Sequence, residues 1–499
     1  MSRTPSVAII GAGFGGLAAA VEARRAGIED IVILDRAERV GGVWEANTYP
    51  GAACDVPSHF YSLSFAPNPR WSRRFSPQGE IRDYLEDVAR DFGLEPLLRL
   101  GQDVTRATWD DDAGRWHLEV EGGPDVEADV LVPACGQLTR PSIPDLPGMG
   151  DFRGDAFHSA WWDHDLDLRG RRVAVVGTGA SAIQFVPAIA DEVEHLTVFQ
   201  RSAPWTLPKP DTAYRGVARR LYERAPRLQE AVRAGWRSGM ETLAPLFTGR
   251  PPAVARATAA VMTGLSDLQR RVQLAHDPAL RAATRPDYPI GCKRVLVTND
   301  WLPTLARPDV ELVTSSITRV VPEGIETADG RVHEADVIIF GTGFTATDFL
   351  APLEVIGRDG TSLRATWSGG AQAYYGLTVP KFPNMFVIYG PNTGHGTGSA
   401  IDMLEAQAEY TAQALDVLAR GGADRLEVRP EVHDAFQAEL AERMSSTVWA
   451  SGCGSWYVND QGRVTATWPG PPGEYLRRTA VLDVSDYETR VVAEPAGIP

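Results

Sequence analysis

The chain has 499 residues, 43% hydrophobic and 23% charged, which are ordinary values for a globular protein of two or three domains. Its formal net charge of −16 disfavours binding to nucleic acid or to an anionic membrane surface, because both partners need a basic face. Polar residues interrupt every long apolar stretch, so we predict no transmembrane helix. The negative charge leads us to expect small molecules as partners.

The four cysteines follow no recognised pattern. Cys54, Cys135, Cys292 and Cys453 are scattered, without C-x-x-C or metal-ligand spacing. We therefore predict neither a disulfide scaffold nor a metal site, and the reducing cytoplasm is the expected location.

A strand, a glycine turn and a helix follow one another at the start of the chain. The apolar run Val7 to Ile10 leads into Gly11-Ala12-Gly13-Phe14-Gly15-Gly16, and an alanine-rich, helix-forming segment comes next. Gly11 would permit the turn, Gly13 would let the backbone approach a pyrophosphate, and Gly16 would allow close packing of helix on strand. Asp35 ends the second strand, where a carboxylate can accept hydrogen bonds from ribose hydroxyls. The segment predicts a first dinucleotide site.

A second site of the same kind is predicted further along the chain. Val173 to Val176 lead into Gly177-Thr178-Gly179-Ala180-Ser181-Ala182, with Ala182 as the third small residue. The next strand ends in Gln200-Arg201 rather than in an acid, so a guanidinium can pair with a 2′-phosphate. We expect NADP(H) here, the alternative being that Arg201 is only a solvated surface charge. Two sites in one chain imply that electrons pass between two cofactors.

Two further patterns accompany these sites. One runs from Gly41 to Asp55 and the other from Phe152 to Asp163, after a proline-rich crossing between domains. His158 lies in the second pattern, and we interpret it as a hydrogen-bonded hinge residue rather than as a general base.

Together these residues resemble the type I Baeyer–Villiger monooxygenases, flavoproteins that insert one oxygen atom of O2 beside a ketone carbonyl. The segment from Phe152 to Asp163 matches the family pattern F-x-G-x-x-x-H-x-x-x-W-[PD]. The segment from Gly41 to Asp55 matches the family pattern [AG]-G-x-W-x4-[FY]-P-[GM]-x3-D. Both patterns in one chain, together with two Rossmann sites, make the resemblance very specific.

Further segments extend the resemblance over nearly the whole chain. Lys293-Arg294 is similar to a family pair in which the Arg approaches the flavin and the Lys lies near the NADP phosphate. The segment 336–344 is similar to the strand and turn that return the chain to the FAD domain, and 390–392 to a late FAD-contacting region. Cys453 to Tyr457 look most like the 4-hydroxyacetophenone monooxygenase branch. The cyclohexanone-type control-loop sequence after Trp456 is missing, so we do not carry that loop's behaviour over.

The resemblance implies an α/β fold with two Rossmann-like dinucleotide-binding domains, for FAD and NADP, and a helical insertion. We predict a first part of the FAD domain at 1–142, the NADP domain at 143–335, and the completion of the FAD domain with the C-terminal segment at 336–499. Residues about 211–285, rich in Ala, Arg, Leu and Glu, would form the helical insertion. We interpret it equally as a space-filling cap or as a wall of the ketone pocket.

The resemblance also implies a mechanism. NADPH would reduce FAD, the reduced flavin would take up O2 as a C4a-peroxide, and attack on a ketone would give an ester or lactone. Arg294 would stabilise the negative charge that develops on oxygen, and Asp55 would hold Arg294 in place, unless Asp55 is only a turn or cap acid. The predicted cofactor-binding residues are Gly11, Gly13, Phe14, Gly16, Asp35, Arg36, Gly42, Trp44, Asp55, Tyr61, Gly177, Gly179, Ala180, Ser181, Arg201, Lys293, Gly343, Asn392 and Trp456.

Three alternatives stay open at this point. A flavin-dependent N- or S-oxygenase would use the same cofactors without attacking a carbonyl. A pyridine nucleotide–disulfide reductase would need a close pair of cysteines, which the sequence lacks. A non-catalytic NADPH-binding redox sensor would not need Arg294 and Asp55. The substrate ketone and the oligomeric state are not readable from these residues.

Overall fold

The fold is built on two parallel β-sheets, and the computed structural model describes it for residues 4–421 and 423–490. The strands, in chain order, are β1 (Val7–Ile10), β2 (Ile31–Asp35), β3 (Leu98–Leu100), β4 (Asp103–Asp110), β5 (Arg115–Glu121), β6 (Val126–Ala128), β7 (Val130–Pro133), β8 (Asp155–His158), β9 (Arg172–Val176), β10 (His195–Phe199), β11 (Thr206–Leu207), β12 (Leu296–Val297), β13 (Val310–Val313), β14 (Ile317–Val321), β15 (Gly324–Thr327), β16 (Val332–Glu334), β17 (Val337–Phe340), β18 (Glu354–Ile356), β19 (Arg425–Val428) and β20 (Tyr487–Arg490).

Helices separate most of these strands. In chain order they are α1 (Phe14–Arg25), α2 (Val43–Ala46), α3 (Gln78–Asp91), α4 (Ala182–Ile189), α5 (Gly216–Arg224), α6 (Pro226–Glu241), α7 (Ala244–Thr248), α8 (Pro252–Gln273), α9 (Pro278–Ala283), α10 (Trp301–Leu305), α11 (Leu363–Thr366), α12 (Ala400–Ala419), α13 (Pro430–Met444) and α14 (Pro472–Arg478).

The first parallel sheet has the strand order β3-β2-β1-β7. Its central strand β1 is apolar and buried at all four positions, as expected when both faces of a parallel sheet are covered. Helix α1 packs on this sheet and against α12, which comes from the far end of the chain. An antiparallel sheet of β4, β5 and β6, extended by β18, packs against it, with Ala8 and Leu34 of the parallel sheet in one hydrophobic cluster with Trp109 and Trp116.

The second parallel sheet has the strand order β13-β10-β9-β17-β8. Strand β9 leads into the second glycine turn, and α4 packs on the sheet with the apolar residues Phe185 and Val186. Strand β17 arrives late in the chain and inserts between β9 and β8. A small antiparallel sheet of β14, β15 and β16 packs on one face of this sheet.

The chain passes between the two sheets twice, and the two passages run side by side. Pro141 and Phe344 form an isolated β-bridge, and the Ser142 amide donates to the Gly343 carbonyl at 2.8 Å. The Thr345 amide donates to the Arg140 carbonyl at 3.0 Å. Each passage therefore supports the other, which fixes the backbone at the junction of the two halves.

Helices α5 to α9 form the helical insertion. Arg233 of α6 reaches α12, where its guanidinium pairs with Asp402 at 2.8 Å and with Glu405 at 2.9 Å. Arg237, one turn later on α6, pairs with Asp402 at 2.7 Å. The Asp402 and Glu405 side chains are almost fully buried, so these ion pairs anchor the insertion to α12, which packs with the first parallel sheet.

These observations confirm the predicted α/β architecture with two Rossmann-like halves and a helical insertion. Among residues 4–421 and 423–490, no helix combines the length and apolar character needed to cross a bilayer. The same part of the chain holds no cluster of three or more His, Cys, Asp or Glu side chains arranged for a metal ion.

One prediction from the sequence is wrong: Cys292 and Cys453 pair as a disulfide, with their Cα atoms 6.4 Å apart. No local pattern indicates this pair, because 161 residues separate the two cysteines and only the fold brings them together. Cys54 and Cys135 are free.

Candidate active site

The first glycine turn leaves the N-terminus of α1 open. Gly13 precedes the helix without a side-chain cap, and the first helical turn contains no acidic residue. A Cβ at Gly16 would overlap the carbonyl oxygen of Gly11, so only glycine allows this approach of helix and strand. Unpaired helix N–H groups and the positive end of the helix dipole suit a pyrophosphate.

Asp35 stabilises this turn from the end of β2. One carboxylate oxygen accepts the Ala12 amide at 2.6 Å and the other accepts the Ala37 amide at 2.9 Å. Burial raises the pKa of Asp35, although these two hydrogen bonds act in the opposite direction. Each oxygen keeps a further lone pair, so the carboxylate can still accept a ribose hydroxyl.

The second glycine turn has the same construction. Gly177 adopts φ +113°, and a Cβ there would overlap the Gly341 carbonyl oxygen. Helix α4 also begins without a side-chain cap and without an acid in its first turn. Thr178, Gly179 and Ala180 line the large cavity beside it.

A cavity of about 880 Å³ lies beside the second glycine turn. It brings together many of the residues that the sequence singled out. Those that line it are Trp44, Asp55, Tyr61, Gly177, Gly179, Ala180, Ser181, Arg201, Lys293, Arg294, Gly343 and Trp456. Within the described residues, no lining residue comes from the helical insertion; Phe247 of α7 packs behind the wall at Gly396 instead.

The remaining predicted residues lie outside this lining. Gly11, Gly13, Phe14, Gly16, Asp35, Arg36 and Gly42 belong to the first turn and its surroundings. A Cβ at Gly42 would lie 2.9 Å from Cα of Gly13, so the two glycine segments are in direct contact. Phe14 packs edge-on against Tyr61 at 5.3 Å between ring centroids, which connects this region to the cavity.

Asn392 has a structural role in addition to any contact with a cofactor. Its buried side-chain amide donates to the Val464 carbonyl at 3.1 Å and to the Thr467 carbonyl at 3.0 Å. These bonds attach the segment after Gly390 to the C-terminal region.

Arg294 and Asp55 form a bidentate ion pair in the cavity wall. Nε of Arg294 donates to one Asp55 oxygen at 2.8 Å and Nη2 donates to the other at 2.7 Å. Burial works to raise the pKa of Asp55, but the Arg294 charge and hydrogen bonds outweigh it, and the pKa is lowered. The Asp55 charge in turn raises the pKa of Arg294. The pair is therefore fully ionised, and the guanidinium has a fixed orientation.

Other polar side chains surround Arg294. Tyr389 and Tyr457 lie close enough for their hydroxyl groups to interact electrostatically with the guanidinium. His395 also lines the cavity; burial lowers its pKa, and its Nε2 lies 3.1 Å from the Ser399 carbonyl oxygen. At neutral pH His395 is therefore uncharged and donates from Nε2, which leaves Nδ1 as an acceptor.

Lys293 and Arg201 lie near each other in the cavity wall that the second glycine turn also lines. Nζ of Lys293 donates to the Ser202 hydroxyl at 2.9 Å. Desolvation lowers the pKa of Lys293, and the nearby Arg201 charge lowers it further. Two cations held near each other at a cavity wall form a site suited to an anion such as a 2′-phosphate.

His158 occupies the position that the sequence analysis assigned to a hinge. Its Nδ1 accepts the Ala160 amide at 3.1 Å, and the ring is fully buried. Burial lowers the pKa of His158 to about 4, while a backbone contact with Gly343 acts in the opposite direction. His158 thus braces the passage between the two halves.

Sequence reasoning missed several residues that shape the site. Gln184 accepts a hydrogen bond from the Tyr49 hydroxyl at 3.0 Å and donates to the Ala53 carbonyl at 2.9 Å. Tyr389, His395 and Tyr457 surround Arg294. Gln184, Tyr389 and His395 belong to no motif with a chemical signature, and the resemblance that singled out the segment of Tyr457 gave that residue no role. Only the folded chain brings these side chains to one place.

These residues fit both cofactors. The open α1 terminus, the contact between glycine segments and Asp35 suit FAD, while the open α4 terminus with Arg201 and Lys293 suits NADP(H). The fold and the site therefore define a flavoprotein oxidoreductase that uses a pyridine nucleotide.

Comparison with known proteins identifies the family. Residues 8–235 match the family model described as pyridine nucleotide-disulphide oxidoreductase. A Baeyer-Villiger monooxygenase of Streptomyces coelicolor is 46% identical over 485 residues, covering 97% of this chain and 92% of the relative. One of Pseudomonas aeruginosa is 41% identical, with 97% and 92% covered. The chain belongs to the Baeyer–Villiger monooxygenases and is an NADPH-dependent flavin monooxygenase.

Solved structures agree with this assignment. A steroid monooxygenase bound to NADP is similar with a TM-score of 0.86 and 30% identity, covering 98% of this chain and 100% of that one. A cyclohexanone monooxygenase from Rhodococcus sp. Phi1 bound to NADP+ is similar with a TM-score of 0.87 and 26% identity, covering 99% and 100%. The use of FAD and NADP(H) predicted from the sequence is confirmed.

Proposed function

We propose that a ketone binds in the cavity of about 880 Å³ and that Arg294 is the catalytic residue for its conversion to an ester or lactone. The observation that carries this proposal is the bidentate Arg294–Asp55 pair in the wall of the cavity, which the second glycine turn also lines. A fixed positive charge is what this reaction needs, because negative charge develops on oxygen when a carbonyl is attacked.

Each residue then has a distinct task. Bound FAD, reduced by NADPH, supplies the activation of O2. Arg294 stabilises the negative charge on the oxygens of the adduct, and Asp55 is a positioning residue that keeps the guanidinium in one orientation. Tyr389, Tyr457 and the uncharged His395 provide hydrogen-bonding groups around Arg294 without adding a competing positive charge.

Cofactor binding follows the predicted residues. Gly11, Gly13, Gly16 and Asp35 would hold the FAD pyrophosphate and ribose, and Arg201 with Lys293 would bind the 2′-phosphate of NADP(H). The domain limits that we propose are 1–142, 143–335 and 336–499, of which residues 1–3, 422 and 491–499 lie outside the described part of the chain. The last segment would contribute β17 to the NADP-side sheet before it crosses back.

Two finer statements remain predictions. Membership of the 4-hydroxyacetophenone monooxygenase branch rests on the segment Cys453 to Tyr457, and the cytoplasmic location rests on composition. The identity of the ketone does not follow from the cavity.

A substrate panel tests the proposal. The FAD-loaded enzyme would be given NADPH and ¹⁸O2 with cyclic, aryl and linear ketones, and in parallel with an amine and a sulfide. We expect at least one ketone to yield an ester or lactone that carries one ¹⁸O atom. Oxygenation of the amine or sulfide alone would favour an N- or S-oxygenase and contradict the proposal.

A further inference from the structure

The disulfide joins two segments that both line the large cavity. Cys292 immediately precedes Lys293 and Arg294, and Cys453 immediately precedes Gly454, Ser455 and Trp456. Apart from the two cysteines themselves, all five of these residues line the large cavity. The covalent bond thus connects the catalytic arginine segment to the C-terminal wall of the cavity.

Trp456 lies between two cavities. It lines the large cavity and also a second one of about 610 Å³, which extends towards Trp367 and Gln461. Its side chain is 37% exposed, whereas the next residue, Tyr457, is buried beside Arg294. Trp456 therefore forms part of the partition between the two cavities, together with Ser142, Phe344 and Ala346.

The segment that carries Trp456 is fixed on both sides of the disulfide. Upstream, Trp449 stacks on Phe247 of α7 with 5.9 Å between ring centroids. Downstream, the Thr465 amide donates to the Tyr457 carbonyl at 3.0 Å. Between these anchors the chain contains Gly452 and Gly454, both exposed, so the disulfide at Cys453 restrains its most adaptable part.

The two sulfurs differ in accessibility. Cys292 is fully buried, and Cys453 is half-buried between the two exposed glycines. A small thiol or peroxide can therefore reach Cys453 first, with Cys292 as the resolving partner. Accessible disulfides next to functional sites are the ones that undergo exchange, in contrast to deeply buried structural ones.

We propose that Cys292 and Cys453 form a reversible redox site. The disulfide holds residues 453–457 next to Lys293 and Arg294 in the wall of the large cavity, and reduction to two thiols releases them. Hydrogen peroxide, the product of uncoupled turnover under the proposed function, is the oxidant. The Cys453 thiolate attacks the peroxide and becomes a sulfenic acid as one water is released. The Cys292 thiolate then attacks the sulfenic sulfur of Cys453 and displaces its hydroxyl group, which leaves as water. Overall, two thiols and one H2O2 give one disulfide and two H2O.

A small dithiol reverses the modification. One thiolate of the dithiol attacks Sγ of Cys453 and releases the Cys292 thiolate, which leaves a mixed disulfide between Cys453 and the reagent. The second thiol of the reagent then attacks the reagent's own sulfur in that mixed disulfide and releases the Cys453 thiolate. The protein regains two thiols, and the dithiol leaves as a disulfide.

The test uses the FAD-loaded full-length enzyme, treated either with hydrogen peroxide or with dithiothreitol, then freed of reagent. Alkylation and peptide mass measurement report the state of each cysteine. Hydrogen exchange of residues 452–458 and the rate of NADP+ release, followed by flavin absorbance, report the restraint. Cys453→Ser removes the disulfide at its accessible end, and Cys135→Ser is the matched control, because Cys135 is free.

After peroxide we expect a Cys292–Cys453 cross-linked peptide, which dithiothreitol removes. Reduction should speed exchange of 452–458 by about tenfold or more and should speed NADP+ release in the same direction. Cys453→Ser should behave as reduced protein under both treatments, and Cys135→Ser as wild type. If both cysteines remain alkylated after peroxide, or if the cross-link forms without changing exchange and NADP+ release, the proposal is wrong. None of these readouts needs a ketone, so they stay separable from the test of the proposed function.

Discussion

At the scale of single residues, the site combines one cation that an ion pair holds in place, Arg294, with two less restrained cations, Arg201 and Lys293. Arg294 is fixed by two hydrogen bonds to Asp55, whereas Arg201 makes no ion pair within the described residues and lines the cavity next to Lys293. The first arrangement suits a charge that must stay in one orientation during a reaction. The second suits recognition of a ligand that arrives with its own negative charge.

Arg201→Ala should separate NADPH from NADH. Losing a charge-assisted hydrogen bond to the 2′-phosphate costs about 1.5–3 kcal/mol, so we expect the KM for NADPH to rise about 10- to 100-fold. The KM for NADH should hardly change, because NADH lacks the phosphate. Steady-state kinetics with both nucleotides measure this. Arg169→Ala is the control, since Arg169 is exposed and, among the described residues, forms an ion pair only with Asp167. An equal loss with both nucleotides would mean that Arg201 merely supports the fold.

Asp55→Asn tests positioning at this scale. The variant keeps a side chain of the same shape but loses the charge that orients Arg294, so less product should form per NADPH consumed, and more hydrogen peroxide. The fall should be smaller than for loss of Arg294 itself, because the guanidinium remains. Unchanged coupling would show that Asp55 does not position Arg294.

At the scale of elements, α4 is tied to the segment that carries Asp55. Gln184 of α4 bonds to Tyr49 and Ala53, across the junction of the two halves. A net contribution of about 0.5–1.5 kcal/mol per hydrogen bond predicts that Gln184→Ala raises the KM for NADPH about 3- to 10-fold and lowers coupling. Gln413→Ala is a matched control, because Gln413 bonds to Ala480 and Leu482 on the far side of α12. Equal behaviour of the two variants would exclude a special role for this contact.

The buried His158 makes the passage between the halves sensitive to acid. Its pKa is lowered to about 4, so between about pH 6.5 and 4 the unfolded chain binds a proton that the folded chain does not. The free energy of unfolding should therefore fall as pH drops through this window, by at most ~1.4 kcal/mol per pH unit from this group. Denaturant unfolding at pH 7.5 and pH 5 measures the effect.

His158→Asn should weaken this pH dependence of the free energy of unfolding by up to ~1.4 kcal/mol per pH unit, the contribution of one titrating proton. The Asn oxygen can still accept the Ala160 amide, so the variant removes titration while it keeps the hydrogen bond. His59, whose pKa burial also lowers to about 4, should keep some dependence in place. An identical slope in variant and wild type would contradict the assignment.

The sequence predicted much of this fold and part of the site. The glycine turns, the Asp35 and Arg201 strand ends and the Lys293-Arg294 pair follow local rules, because a strand, a tight turn and a helix must come in fixed order. Arg294 and Asp55 were paired through a family resemblance, and the structure joins them across 239 residues. Gln184, His395 and the Cys292–Cys453 disulfide could not be foreseen, since their partners depend only on long-range packing.

At the scale of the whole molecule, the helical insertion is attached by buried charge. Arg233 is 11% exposed and faces Asp402 and Glu405, which are 2% and 9% exposed. Arg233→Met should lower the free energy of unfolding by about 3–5 kcal/mol, because it leaves the buried Glu405 carboxylate without its cationic partner, while Asp402 keeps Arg237. Arg319→Met, which breaks the surface pair with Glu326, should cost no more than about 1 kcal/mol. Urea unfolding compares them, and equal losses would refute the anchoring role.

The central claim is that one positive charge, Arg294, serves oxygen insertion and not flavin reduction. For Arg294→Ala, the rate of anaerobic flavin reduction by NADPH should stay within a few-fold of wild type. Ester formation should fall by about 10²–10³, the usual cost of removing one group that stabilises an oxyanion, and hydrogen peroxide should account for the NADPH consumed. The decisive measurement is the amount of ester formed per NADPH with a ketone that the wild type converts. A yield near zero is predicted, and a yield near that of the wild type would contradict the account.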